Sequence, residues 1–179
     1  DGFTAFLKAN PAAPLSREAS AKRGAACLKA GKATWLNELR ALADKGEKDF
    51  ARAYAAWALA ERGERTFAAA LGLLKQAAGG DDRAAMQARE LFVRGALMEM
   101  DRSSWDRPKL NSLCEDILAI SNSANHKARA RLIRARGNLQ DGRTVAAGEA
   151  ELKSLGEGSS DFADDALFDL AMRRENERK

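Results

Sequence analysis

The segment GKATWLNELRAL at residues 31–42 returns 32 residues further on as GERTFAAALGLL at residues 63–74. Gly31, Thr34, Trp35, Leu39 and Leu42 fall in register with Gly63, Thr66, Phe67, Leu71 and Leu74. A repeat of this length, built from helix-forming residues, points to an α-helical solenoid in which each unit buries one face against its neighbour. Each position has a physical role. Glycine takes the left-handed conformation that ends a helix. The Thr hydroxyl is suited to accept from the orphan N–H groups of the next helix. Trp35 and Phe67 are placed to fold back onto the preceding helix, and the leucines four and seven residues on point the same way. Seven residues before each glycine stands a small residue, Gly24 or Ala56, which lets paired helices approach closely. Weaker copies follow at Asp101, Ser104 and Trp105, and at Thr144, Val145 and Leu152, the last after Gly142 with Ala135 seven residues before it. The expected cap residues thus stand at 34, 66, 104 and 144, a period that drifts.

Composition agrees. The apolar fraction is 45 %, but valine occurs only at Val93 and Val145, and isoleucine only at Ile117, Ile120 and Ile133. Sheets favour β-branched residues, whereas the abundant Ala and Leu favour helix. An all-α fold is expected, with helices over about 16–30, 34–46, 47–62, 66–79, 82–100, 107–120, 123–140 and 144–155 and from 161 onward. Ser16 is the expected N-cap of the first and Gly46 the expected end of the second. Residues 1–15 are read as an N-terminal extension, with a short helix over 2–9, and residues 16–179 as a single helical domain. Ala51, Ala55, Ala58 and Leu59 form one apolar face, as do Ala128, Leu132, Ala135 and Leu139, and Ala163, Ala166, Leu167, Leu170 and Ala171. Connections are short, so successive helices should run antiparallel.

The set Gly24/Gly31/Trp35, Ala56/Gly63/Phe67 and Ala135/Gly142/Val145 resembles the tetratricopeptide-like helical repeats, which place a small residue, a turn glycine and an aromatic or apolar residue in this order. Ala68 fits that pattern, Leu36 departs from it, and the proline that usually closes each repeat is missing. Arg52, Ala55, Ala56, Leu59, Gly63 and Leu71 are equally similar to a HEAT-type repeat. Either resemblance implies a right-handed α–α superhelix of about four hairpins plus a terminal helix, and a role in binding macromolecules along its groove. Asp161 to Arg174 looks like the first helix of a further repeat, and the charged tail Arg173–Lys179 follows it without a partner helix. This is read as either a solubilising cap or a chain cut from a longer array, the cut being favoured because the repeat resemblance points onward.

No catalytic constellation emerges. His126 is the one histidine and has no ligand-spaced neighbours; Cys27 and Cys114 match no metal or redox spacing and are read as buried free thiols. Gly79 and Gly80 lack the following Lys-Ser/Thr of a phosphate loop. The carboxylate pairs Asp81-Asp82 and Asp164-Asp165 sit at helix starts, where they complement the dipole. No cofactor or metal is expected. The net charge of +4 is a weak pull toward acidic partners. Lys127, Arg131 and Arg134 stand at i, i+4, i+7 on one helix and form the clearest basic stripe, flanked by Arg129 and Arg136. Tyr54 and Trp57 lie off the main apolar stripe of their helix, either as exposed anchors or packed against the next repeat, with packing favoured. These five residues are the candidate partner-binding positions.

The expected function is a non-enzymatic scaffold that binds a protein or peptide, acidic segments included. Two alternatives stay open: a HEAT-like repeat binding nucleic acid, against which the 6 % aromatic content counts, and an accessory superhelical domain of a larger cell-wall enzyme. No apolar run reaches the roughly 20 residues that span a bilayer. The chain opens on Asp1, not Met, which leaves room for a removed export signal; a bacterial cytoplasm or periplasm is the expected compartment.

Overall fold

The computed structural model describes residues 5, 9, 10, 14–45, 47, 49–103 and 105–177. The expected end of the second helix at Gly46, the cap at Ser104 and most of the short helix over 2–9 lie outside these. Among the described residues the protein is all-α, with nine α-helices and no strand: α1 (Pro14–Lys29), α2 (Leu36–Lys45), α3 (Phe50–Glu61), α4 (Phe67–Ala77), α5 (Arg83–Arg102), α6 (Arg107–Ile120), α7 (Ala124–Asn138), α8 (Val145–Gly156) and α9 (Ala163–Glu177). No helix among them is long and apolar enough to cross a membrane. The chain divides into two compact units, one ending at Phe92 and the other beginning at Val93.

In the first unit α3 packs against α1, α2 and α4. Its sequence is apolar almost all round, and Phe50, Ala51, Ala53 and the run Ala55–Ala60 are buried. A helix without a polar face has to be enclosed. Ala21, Ala25 and Leu28 of α1, Leu39 and Ala43 of α2 and Ala70 of α4 close around it. Gly24 permits the closest approach, since a Cβ there would stand 3.0 Å from Leu39 Cγ and 3.3 Å from the Trp35 ring. The guanidinium of Arg23 lies 4.9 Å from the centre of that ring.

The quoted repeat has its structural counterpart at two helix ends. Gly31 and Gly63 are the two positive-φ residues among those described, at +79° and +76°. At each, the glycine N–H donates three residues back and the next N–H donates five back: Gly31 to Leu28 and Lys32 to Cys27, Gly63 to Ala60 and Glu64 to Leu59. Both are Schellman caps. Thr66 then accepts from the Ala69 N–H at 3.3 Å, as expected. The other copies differ. Ser16 lies inside α1, 2 % exposed, and does not cap it. Thr34 sits within a 3₁₀ turn, Ala33–Trp35, that precedes α2. Thr144 precedes α8, yet its hydroxyl donates backward to Asn138 O at 2.8 Å and caps nothing. Gly142 does not take a positive φ. Trp105 is 77 % exposed and does not fold back onto a helix. Aspartates do more of the capping than the sequence reading allowed: Asp49 accepts from Arg52, Asp82 from Ala85 and Asp106 from Lys109.

In the second unit α6 packs on α7, α7 on α8 and α8 on α9. Ala128, Leu132 and Ala135 of α7, Leu152 and Leu155 of α8 and Ala166 of α9 form one cluster, with Leu139, Phe162 and Leu170 against it. Gly148 is where α8 crosses α7: a Cβ there would meet the Ala135 carbonyl oxygen at 2.8 Å. Gly72, exposed inside α4, has nothing within 4 Å of such a Cβ. The two glycines should therefore respond oppositely to alanine. Gly72→Ala gains helix propensity and is expected to raise stability by about 0.5–1 kcal/mol. Gly148→Ala gains the same propensity but forces a backbone contact apart, which costs about 1–3 kcal/mol, so it should be neutral to destabilising. Urea unfolding followed by helical circular dichroism measures both; a Gly148→Ala protein as stabilised as Gly72→Ala would refute the close crossing.

Candidate functional site

The basic stripe of α7 leads to a connected set of charges in the second unit. Arg134 is held by Glu151 of α8 through two bonds, Nε to Oε2 at 3.0 Å and Nη2 to Oε1 at 2.6 Å, and reaches Glu115 of α6 at 2.5 Å. Arg131 joins the same carboxylate, Nε to Glu151 Oε1 at 3.2 Å, and donates to Ser154 Oγ at 3.1 Å. Two guanidiniums and two carboxylates thus bind α6, α7 and α8 together. The arrangement follows from helical spacing: Arg131 and Arg134 are neighbours on α7, on the stripe that borders the one carrying Leu132 and Ala135 into the core.

The side chains of Arg134 and Glu151 are 18 % and 11 % exposed. Bidentate geometry at partial burial makes this pair stronger than an ordinary surface ion pair. The hydrogen bonds to Glu151 raise the Arg134 pKa above its ordinary value, so it stays charged. The network also adjoins Cys114, which is fully buried on α6. Desolvation pushes its thiol from 9.0 up to about 11, with Arg134 pulling the other way.

Beside the network lies a groove of about 520 Å³ lined by Asn111 and Glu115 of α6, Arg134 and Asn138 of α7, and Ala147 and Glu151 of α8. Two carboxamides, each able to donate and accept, flank charges whose positions are fixed by mutual pairing. No His, Cys, Asp or Glu cluster that could hold a metal ion occurs among the described residues. His126 is exposed at the start of α7, where its N–H donates to Ser123 Oγ.

The five sequence-predicted positions scatter. Lys127, Arg131 and Arg134 share α7, but Arg131 and Arg134 are spent on carboxylates of this chain, and the flanking Arg129 and Arg136 pair with Asp101 and Asp169. Tyr54 packs half-buried against the core of the first unit, with its ring 5.7 Å from Phe50. Trp57 is 3 % exposed, edge-on to Phe67 at 5.5 Å. Trp57 is thus a packing residue, and Arg131 and Arg134 form a structural clasp. Cys27 is half-buried, not fully buried as its apolar setting implied. Asn111 and Asn138 were missed: isolated polar residues on amphipathic helices carry no signal until the facing helices are in place. No family model, curated protein or solved structure matches the chain.

Two measurements follow. In a double-mutant cycle with Arg134→Met and Glu151→Met, the coupling should be about 1–3 kcal/mol, between the values for exposed and buried pairs; a value near zero would make the pair ornamental. With a thiol reagent at mildly alkaline pH, Cys27 should react in the folded protein and Cys114 only on unfolding. Because burial favours the neutral Cys114 thiol, the unfolded state loses that proton first. This contribution to stability is intact below pH 9.0 and drains away as pH rises through about 11.

Proposed function

We propose that this protein is a non-catalytic interaction scaffold that takes an extended segment of another polypeptide along the groove between α6, α7 and α8. The carrying observation is the pair Asn111 and Asn138 lining a groove whose charges are already neutralised within the chain. Carboxamides match the alternating donors and acceptors of a peptide backbone, whatever its side chains. A neutralised Arg134 network supplies a rigid rim and little net attraction for anions, so an acidic partner is not required. The same pairing of Arg40 with Glu64, Arg131 and Arg134 with Glu151, and Arg136 with Asp169 removes cations that a nucleic-acid reading needs.

This reading takes the fold as a right-handed α–α superhelix of about four hairpins and a last helix. The support is the packing of consecutive helices within each unit and the two matching Schellman turns. The groove draws on α6 and α8 as well as on α7.

The test is selection from a displayed library of unstructured peptides on the immobilised protein. Enriched peptides should share a motif and bind the purified chain. Asn111→Leu and Asn138→Leu together should weaken binding by about tenfold, the sum of two ordinary hydrogen bonds, while Gly72→Ala leaves it unchanged. Failure to enrich any peptide, or binding indifferent to both carboxamides, would end the proposal.

A further inference from the structure

Between α8 and α9 lies a second hollow, of about 280 Å³, which shares no lining residue with the α6–α8 groove. One face of α8 supplies Ala146, Glu149, Ala150 and Lys153, at i, i+3, i+4 and i+7, and α9 supplies Leu170, Arg173 and Arg174. The space is left by alanine on two successive turns of α8, where longer side chains would close it. Leu170 is half-buried and packs on the α7–α8 cluster, so the inner part of the hollow is apolar. Its volume falls just below the roughly 300–1,000 Å³ of sites for drug-sized ligands, which suits a molecule of only a few carbons.

The charges narrow the class of that molecule once each existing pair is counted. Glu149 is the one carboxylate in the lining, and Arg173 already donates to it, Nε to Oε1 at 3.4 Å. Lys153 stands 4.0 Å from Glu157, beyond hydrogen-bond distance, with the two side chains 70 % and 67 % exposed. A pair that long and that exposed is readily exchanged for another partner. The exposed Arg174 enters no ion pair among the described residues. With Glu157 included, Lys153, Arg173 and Arg174 face two carboxylates, a surplus of one positive charge. A cationic ligand finds no uncommitted acceptor in the lining. A phosphate monoester, at about −1.5 to −2 near neutral pH, exceeds the surplus. A carboxylate carries a single charge at that pH and fits the planar fork of a guanidinium.

We propose that the α8–α9 hollow binds a small monocarboxylate with a short aliphatic body. The carboxylate sits between Arg174 and Lys153, and the carbons lie against Ala150 and Leu170. The Glu149–Arg173 pair stays intact and forms part of the wall.

The probe is hexanoate, titrated at constant ionic strength into the full ¹⁵N-labelled chain and followed by amide chemical shifts. Hexanamide keeps the shape without the charge, and inorganic phosphate keeps the charge without the carbons. Hexanoate should give saturable shifts centred on Ala150 and Leu170, with a Kd of about 1–10 mM for so small a ligand. Each control should bind about fivefold or more weakly, the effect expected of two exposed ion pairs. Lys153→Gln combined with Arg174→Gln should reduce hexanoate to the level of hexanamide. Ala150→Leu, an exposed substitution whose fold circular dichroism verifies, should fill the hollow and abolish the binding of both. Hexanamide or phosphate bound as tightly as hexanoate, an affinity unchanged in the double variant, shifts centred elsewhere, or no saturable shift would overturn the proposal. Peptide selection at the α6–α8 groove reads different residues, so either result can fail without the other.

Discussion

Close approach of helix backbones is the constraint on which both units depend. Alanine and glycine at the crossings remove the side-chain bulk that otherwise holds helix axes apart. In the first unit the crossings are Gly24 against Leu39 and Trp35, and the alanines of α3 against those of α1. In the second they are Gly148 against the carbonyl of Ala135. A chain that packs this way gains many short-range contacts per residue but little volume per side chain, and the large residues that do reach the core include Trp57, Phe92 and Met100, at 3 % exposure or less. The high alanine content is therefore a packing requirement as much as a helix-propensity effect.

The charge pattern follows from the same closeness. Helices this near to one another bring side chains of facing helices and turns within reach, and many arginines pair with carboxylates outside their own helix. Arg40 with Glu64, Arg107 with Asp141, Arg134 with Glu151 and Arg136 with Asp169 all bridge different elements. A net charge of +4 then overstates how much positive surface is available.

The helices were largely legible because helical periodicity and terminators are local properties. Nine segments are where Ala/Leu spacing and the glycines put them, and Gly31, Gly63 and Thr66 act through the mechanism expected of them. The reading failed at one cap of the quoted repeat and at the weaker copies. Thr34 and Thr144 have the right side chain, yet a 3₁₀ turn and a backward hydrogen bond to Asn138 take over their roles. Trp105 stands in the aromatic register without a glycine-closed turn before it, and stays in solvent. The basic stripe was legible only in part: spacing along one helix reports which side chains share a face, but not that α8 offers Glu151 to that face. Asn111 and Asn138 were invisible for the same cause, since a groove is a property of three helices and no single segment encodes it.

The enclosure of α3 bears on how the first unit breathes. Amide hydrogens exchange with solvent through local openings whose free energy rises with the packing that must be undone. The neighbours α2 and α4 each keep a wet side, whereas α3 is sheathed by α1, α2 and α4 together. The twelve residues Phe50–Glu61 should accordingly form the last foldon of that unit to open, and their deuterium uptake sets the slowest clock in the first unit.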